Sequence, residues 1–330
     1  MPLFTLPRLL GLASAVALVG GGAGILAVSA VNAGEECALP FSSGTTSDLV
    51  SVSGEGNGVP DISFPTPLVT DGRQLTVLTE GSGQPAPAGG FIDFDVSVFV
   101  GADEAFLTAS SYQEGNPVRR PVAGIVPEFF GEVLECQKPG ATVVITSTVG
   151  DVFGPIGEDD YLQLDSTIAV VVDVRNTYPG SATGDARLPQ SGLPTLSQAP
   201  SGHHGLTFPN APIPEELRVS VLKQGEGETI AEGGFVTAHL TGFVWETRSV
   251  FISSFDQGVP LSLVATDLTS ATDGVGVIPG LAAALVGLPV GSQVLVSIPP
   301  SLGYPQGTTP PGVPSEATLV YVLDILGVNN

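Results

Sequence analysis

Two stretches decide how this chain is read: GGFIDFDVSVFV, from Gly89 to Val100, and GGFVTAHLTGFV, from Gly233 to Val244, set 144 residues apart. Each opens on a glycine pair and continues in Phe, Val, Ile and Thr, the composition of a buried strand entered from a tight turn. Working outward at the same offset, Phe64-Pro65 meets Phe208-Pro209, Val77-Leu78 meets Val221-Leu222, and Gly81 and Gly83 meet Gly225 and Gly227. Eleven of the 37 ungapped positions from Phe64 to Val100 are identical, too many for unrelated segments, so the chain carries an internal repeat. With small shifts the match continues. Ser110-Ser111-Tyr112 answers Ser253-Ser254-Phe255, Pro117 answers Pro260, Val126-Pro127 answers Ile278-Pro279, Ser166-Thr167-Ile168 answers Ala317-Thr318-Leu319, and Asp173 answers Asp324. Two copies of one domain follow, about residues 60 to 177 and 206 to 329.

Composition agrees with that reading. The 330 residues are enough for two domains, a leader and a linker, and 42% hydrophobic against 13% charged residues is the balance of a chain that buries a core. The 43 Gly and 29 Pro favour short strands joined by turns over long helices. Strands are expected at Phe91 to Val100, Thr142 to Thr148, Thr167 to Val174, Val294 to Ile298 and Thr318 to Leu326, with one helix over Leu281 to Leu288 behind Pro279. The fold class is therefore α+β, with each copy an antiparallel sheet wrapped on one short helix. Ten Lys and Arg against 33 Asp and Glu leave a formal charge of -23, which repels phosphate backbones and excludes nucleic acid as a partner.

Ahead of the first copy, Leu9 to Gly34 carry no charge and follow Arg8, a leader pattern with small-residue cleavage sites at Val28-Ser29-Ala30 and Val31-Asn32-Ala33. Residues 1–33 are thus a signal peptide or, if uncleaved, an N-terminal membrane anchor. Either places the protein outside the cytoplasm, secreted or associated with the cell envelope. In an oxidising compartment the two cysteines, Cys37 and Cys136, read as one disulfide bracing residues 37–177, the alternative being two free thiols. Residues 178–205 have the Pro, Gly and Ser content of a linker, and 206–330 form the second domain. His203-His204 lacks neighbouring Cys or acidic ligands, so it is read as solvated loop and no metal site is expected.

From Gly233 to about Val328 the second copy resembles the FKBP family of peptidyl-prolyl cis-trans isomerases. The resemblance runs through His239-Leu240-Thr241-Gly242, Phe251-Ile252-Ser253-Ser254, Val277-Ile278-Pro279-Gly280-Leu281, Leu288-Pro289-Val290-Gly291, Ile298-Pro299-Pro300 with Tyr304, and Ala317-Thr318-Leu319-Val320-Tyr321, in the family's order and spacing. It implies that exported proline-containing polypeptides are the clients and that no cofactor is needed. It also implies a pocket lined by Leu240, Phe251, Leu261, Val277, Ile278, Leu281, Tyr304, Val313 and Tyr321, with Ile252 at its rim. In that pocket the Ile278 backbone N–H and the Tyr304 hydroxyl face the substrate carbonyl, Leu281 forms the floor beneath the proline, and Phe251 stands as a wall.

Such chemistry needs no nucleophile. Rotation about X-Pro faces a barrier of ~18 to 20 kcal/mol sustained by amide resonance, and a dry apolar cleft with donors aimed at the displaced carbonyl favours the twisted form. The chain departs from the family where an acid usually follows the Phe at 251 (here Ile252). It departs again where aromatics are common at 240, 261 and 281, so activity is expected to be reduced or selective. The first copy departs further: Glu128-Phe129 stands for Gly280-Leu281, Thr148-Val149-Gly150 for Ile298-Pro299-Pro300, and Gly154-Pro155 for Gly303-Tyr304. A structural or binding role suits it better than catalysis. Two other readings of the whole chain stay open: a peptide-binding module of the same fold, and an extracellular structural or adhesive protein.

Overall fold

The computed structural model describes residues 43–329 apart from 55–57, 114, 123–128, 156–161 and 272–274. The leader read over 1–33, Cys37, Val126-Pro127 and Glu128 lie outside the described residues.

In the first copy six strands form: β1 (Gln74–Thr79), β2 (Phe91–Val100), β3 (Phe106–Ala109), β4 (Val118–Pro121), β5 (Thr142–Thr148) and β6 (Thr167–Tyr178). Two short helices, α1 (Phe129–Val133) and α2 (Val149–Phe153), accompany them. The second copy contributes β7 (Asp185–Ala186), β8 (Arg218–Gln224), β9 (Phe235–Val244), β10 (Ser249–Ser253), β11 (Leu261–Val264), β12 (Gln293–Ile298), β13 (Leu319–Asn329) and the helix α3 (Pro279–Leu285). Both sheets are antiparallel throughout and share one topology. The first runs β1-β5-β6-β2-β3 with β4 also on β2; the second runs β7-β8-β12-β13-β9-β10 with β11 on β9. Fold class is as the sequence predicts.

The repeat extends to the irregularities of the sheets. A bulge leaves Leu78 unpaired on β1 and Leu222 on β8, and another leaves Leu107 on β3 and Phe251 on β10. A third falls opposite Asp93/Phe94 on β2 and opposite Thr237/Ala238 on β9. All three recur at the 144-residue offset. Bulges bend a strand and re-aim side chains, so two copies bent at matching places present their helix-side faces alike. The offset also holds at Ser110 and Ser254, which receive the N–H of Val96 and Leu240 respectively. The one-residue shift inferred there from sequence therefore begins later, before Pro117 and Pro260.

Each sheet buries both faces. On the helix side lie two large apolar clusters, one per copy. On the outer side a two-stranded ribbon covers each sheet: Ser51–Ser53 paired with Asp61–Ser63, and Thr195–Gln198 paired with His204–Thr207. These ribbons also match residue for residue at an offset of 144, Val52↔Ile62 answering Leu196↔Leu206. Val50, Phe64 and Leu68 pack under the first, and Leu193, Phe243 and Trp245 under the second. Segment 178–205, which reads as a linker, thus carries β7 and half of the second ribbon. The solvated loop expected at His203-His204 is corrected for His204, whose side chain the ribbon presses to 0% exposure, 4.0 Å from the equally buried Asp324. His203 stays on the surface, 3.3 Å from Asp256.

Both copies belong to one compact unit. Arg119 of β4 joins them: it pairs with Asp93 at 2.5 Å and donates to Thr237 Oγ1 at 2.9 Å and to the Pro260 carbonyl at 3.1 Å. Phe91 and Tyr178 of the first copy cluster with Leu326 of the second, and the Tyr178 ring lies 5.4 Å from the Arg119 guanidinium. Among the described residues no helix is long and apolar enough to cross a membrane, and no cluster of three metal-ligating side chains occurs.

Candidate functional site

Helix α3 starts because Pro279 sits in its first turn, where its missing N–H costs nothing. The residue before a proline is kept out of the helical region, and Ile278 accordingly lies at φ -56°, ψ 149°. Its carbonyl accepts from Leu281 and Ala282 N–H. Its own N–H has no acceptor among the described residues. Next to it Val277 is clamped, donating to Thr266 O and accepting from Leu268 N–H at 2.9 Å each. The helix ends at Leu285, earlier than Leu288, since Gly287 takes φ +85° and Leu288 precedes Pro289.

The predicted residues all fall in the apolar core of the second copy. Leu240, Ile278, Leu281, Val313 and Tyr321 are buried, Phe251, Ile252, Leu261, Val277 and Tyr304 are partly buried, and all ten belong to one apolar cluster. They come from β9, β10, β11, α3, β13 and the loops about Val277, Tyr304 and Val313, so only the closed sheet assembles them. The Tyr304 and Tyr321 hydroxyls stand 3.1 Å apart. Burial, and then the neighbouring Tyr304, push the Tyr321 phenol well above its usual range. Tyr321 therefore remains a hydroxyl at neutral pH. Phe251 meets Tyr321 edge to face at 5.7 Å.

Phe251 reaches this position because it is the bulged residue of β10 and because Gly242 faces it. A Cβ on Gly242 would lie 2.7 Å from Phe251 Cζ and 2.7 Å from Ile252 Cγ2, well inside contact. Gly242 is the positioning residue that sequence reasoning missed; its only trace was its place in the Thr241-Gly242 pair of the resemblance. A groove of about 780 Å³ beside Tyr304, walled by Pro299, Pro300, Ser301, Gln306 and Glu316, was likewise unforeseen.

Corresponding positions of the first copy are closed. Val98 stands at the place of Gly242, 2% exposed, and Leu107 takes the bulge of Phe251. Phe94, at the place of Ala238, is fully buried and packs 5.0 Å from Phe130. Pro155 follows the helix-capping Gly154 where Tyr304 follows Gly303, so no phenol is supplied. Of the expected Cys37–Cys136 bridge only Cys136 is described; no cysteine among the described residues is free.

Comparison with known proteins falls on the same region. The family "FKBP-type peptidyl-prolyl cis-trans isomerase" matches residues 226–326. A probable FK506-binding protein of Corynebacterium glutamicum is 34% identical over 122 residues, 37% of this chain and 94% of that protein. FK506-binding protein 1 of Debaryomyces hansenii is 36% identical over 118 residues, 35% of this chain and 97% of that protein. The FKBP-type 22 kDa peptidyl-prolyl cis-trans isomerase of Escherichia coli is 33% identical over 112 residues, 34% of this chain and 50% of that protein. The chain belongs to the FKBP-type peptidyl-prolyl cis-trans isomerase family.

Proposed function

We propose that the second copy isomerises X-Pro bonds of exported, proline-containing polypeptides in the cleft between α3, β9, β10 and β13, without metal or cofactor. The observation that carries this reading is that the Ile278 N–H, without an acceptor among the described residues, and the paired Tyr304 and Tyr321 hydroxyls belong to one otherwise apolar cluster. A proline ring seated on Leu281 between Phe251 and Tyr321 leaves water behind. As the amide twists it loses resonance and its carbonyl swings out of plane. Donors already in place for the displaced oxygen lower that state relative to the planar one. Leu240 and Ile252, on one face of the sheet, offer no polar group at the rim, so turnover rests on packing and on these donors alone.

The same missing carboxylate favours a second reading, a cleft that binds proline-containing segments with little catalysis. In both readings the first copy is a closed structural partner braced by Cys37–Cys136, and the acidic chain works outside the cytoplasm behind its leader. The test is a protease-coupled assay of full-length protein on Ala-Xaa-Pro-Phe peptides. A fragment beginning at residue 206 would lose Leu196, which packs under the second ribbon. Acceleration above the thermal rate for at least one Xaa is expected; its absence for every Xaa overturns the isomerase reading.

A further inference from the structure

Where the two copies meet, on the face of β9 opposite the proline cleft, lies a second cavity of about 580 Å³. Its volume is within the range of sites that enclose small ligands. His239 stands in its wall, neighbour in sequence to Leu240 but pointing to the other side of the sheet. The ring is only 3% exposed and stacks on Phe255 with centroids 4.2 Å apart and planes 11° from parallel. Phe91 of the first copy meets it edge-on at 5.2 Å. Ser254 Oγ holds Nδ1 at 2.8 Å, while Nε2 has no partner among the described residues. The ring lines the cavity and Nδ1 is taken by Ser254, so Nε2 is the nitrogen left to bond a molecule held there.

The lining narrows what that ligand is. No described residue of the cavity wall carries a formal charge, and burial pushes His239 down to about 4, so it is neutral at pH 7. A charged ligand would be desolvated with no opposite charge to meet it. Eight of the twelve lining residues are Gly, Ala, Ser or Pro, so the walls are mostly main chain. They are bare because the backbone is tightly packed within each copy there: a Cβ on Gly202 would lie 2.7 Å from Phe255 Cε1, and one on Gly180 would collide with the Gly89 carbonyl. Main-chain walls with two phenyl rings and one neutral imidazole match another main chain carrying an apolar side chain. Backbone bonds then supply affinity and the rings supply selection.

We propose that this junction cavity is a second polypeptide site, which takes a short, uncharged, extended segment with an aromatic or aliphatic side chain against Phe91 and Phe255 and a peptide group on His239 Nε2. It is separate from the proline cleft, lies on the opposite face of the same strand, and needs both copies. A client held there would stay attached while its prolines visit the other face.

The test uses full-length protein and the proline-free peptide acetyl-Gly-Phe-Ser-Gly-amide, followed by NMR. Saturable shifts are expected at Gly202, Ser181 and the His239 ring, with none at Ile278 or Tyr304. Ala199→Trp, placed on the exposed turn at the cavity's edge, should weaken binding at least tenfold and leave the isomerisation rate within twofold. His239→Phe keeps the stack on Phe255 but removes Nε2, and should weaken binding at least fivefold. Ser201→Trp replaces Ala199→Trp if that variant melts early. The proposal is overturned if the wild type gives no saturable shift at these positions, if the shifts fall on Ile278 and Tyr304, or if the filled variant binds as tightly as the wild type. Because the probe has no proline, an inactive proline cleft would leave this result untouched.

Discussion

Replacing Gly242 with Ala asks whether the geometry of the cleft, beyond its apolar character, sets its activity. The added Cβ would sit 2.7 Å from Phe251 Cζ, 2.9 Å from Phe251 Cε1 and 2.7 Å from Ile252 Cγ2. Carbon atoms pack at about 3.5 to 4.0 Å, so the Phe251 ring and Ile252 must withdraw by roughly 1 Å. Forcing one extra methyl into a packed site costs about 1 to 3 kcal/mol. Misplacing a positioned group by about 1 Å can cost about 100-fold in rate. We expect Gly242→Ala to lower unfolding free energy by about 1 to 2 kcal/mol in urea and to lower kcat/KM by about 10- to 100-fold on Ala-Xaa-Pro-Phe peptides. Val98→Ala, at the equivalent place in the first copy, should cost comparable stability with kcat/KM unchanged. A folded Gly242→Ala protein with kcat/KM within twofold of wild type would refute the reasoning.

Three further outcomes are expected. Tyr304→Phe removes one of two adjacent hydroxyl donors and little volume, so kcat should drop about 5- to 50-fold while the melting temperature stays near that of wild type; an unchanged kcat would remove Tyr304 from the chemistry. Arg119→Met breaks the Arg119–Asp93 pair, whose side chains are 9% and 2% exposed, and strips the Thr237 and Pro260 contacts. Losing one partner of a buried pair costs about 3 to 5 kcal/mol, read in urea as a lower midpoint or as two separate transitions. For pH, burial lowers His239 from 6.5 to about 4. Between those values the unfolded chain takes up a proton and the folded one does not. Stability should therefore fall as pH drops from 6.5 toward 4, His239 contributing about 2 to 3 kcal/mol by pH 4.5. His204, lowered chiefly by burial, acts in the same direction. His239→Gln should flatten the dependence, and a slope equal to wild type would count against the assignment.

Much of the architecture was legible because strand and turn chemistry is local. Phe91 to Val100 and Thr142 to Thr148 form strands with the expected bounds, and Pro279 opens the helix. The outer ribbons were not legible. Ser51–Ser53 and Thr195–Gln198 match in residue type with few identities, and the Pro, Gly and Ser around the second one outweigh two short strands. His204 misled for a related reason: a histidine beside glycine reads as solvated, and only the closure of the ribbon over Asp324 buries it. For the cleft, residue types and order pointed to ten side chains, all of which fall in the second copy's apolar cluster. What could not be read was the bulge that turns Phe251 inward, since an unpaired residue depends on pairing register across two strands and leaves no composition of its own. Gly242 matters through that bulge, and the junction cavity exists only because two copies meet.

The account stands most directly on one measurement: the rate of cis-to-trans relaxation of Ala-Leu-Pro-Phe peptide with full-length protein, wild type and Phe251→Ala. Acceleration well above the thermal rate by the wild type, with most of it lost in a folded Phe251→Ala protein, is the predicted result. Acceleration by Phe251→Ala equal to that of the wild type, or none by the wild type with any residue before the proline, would contradict it.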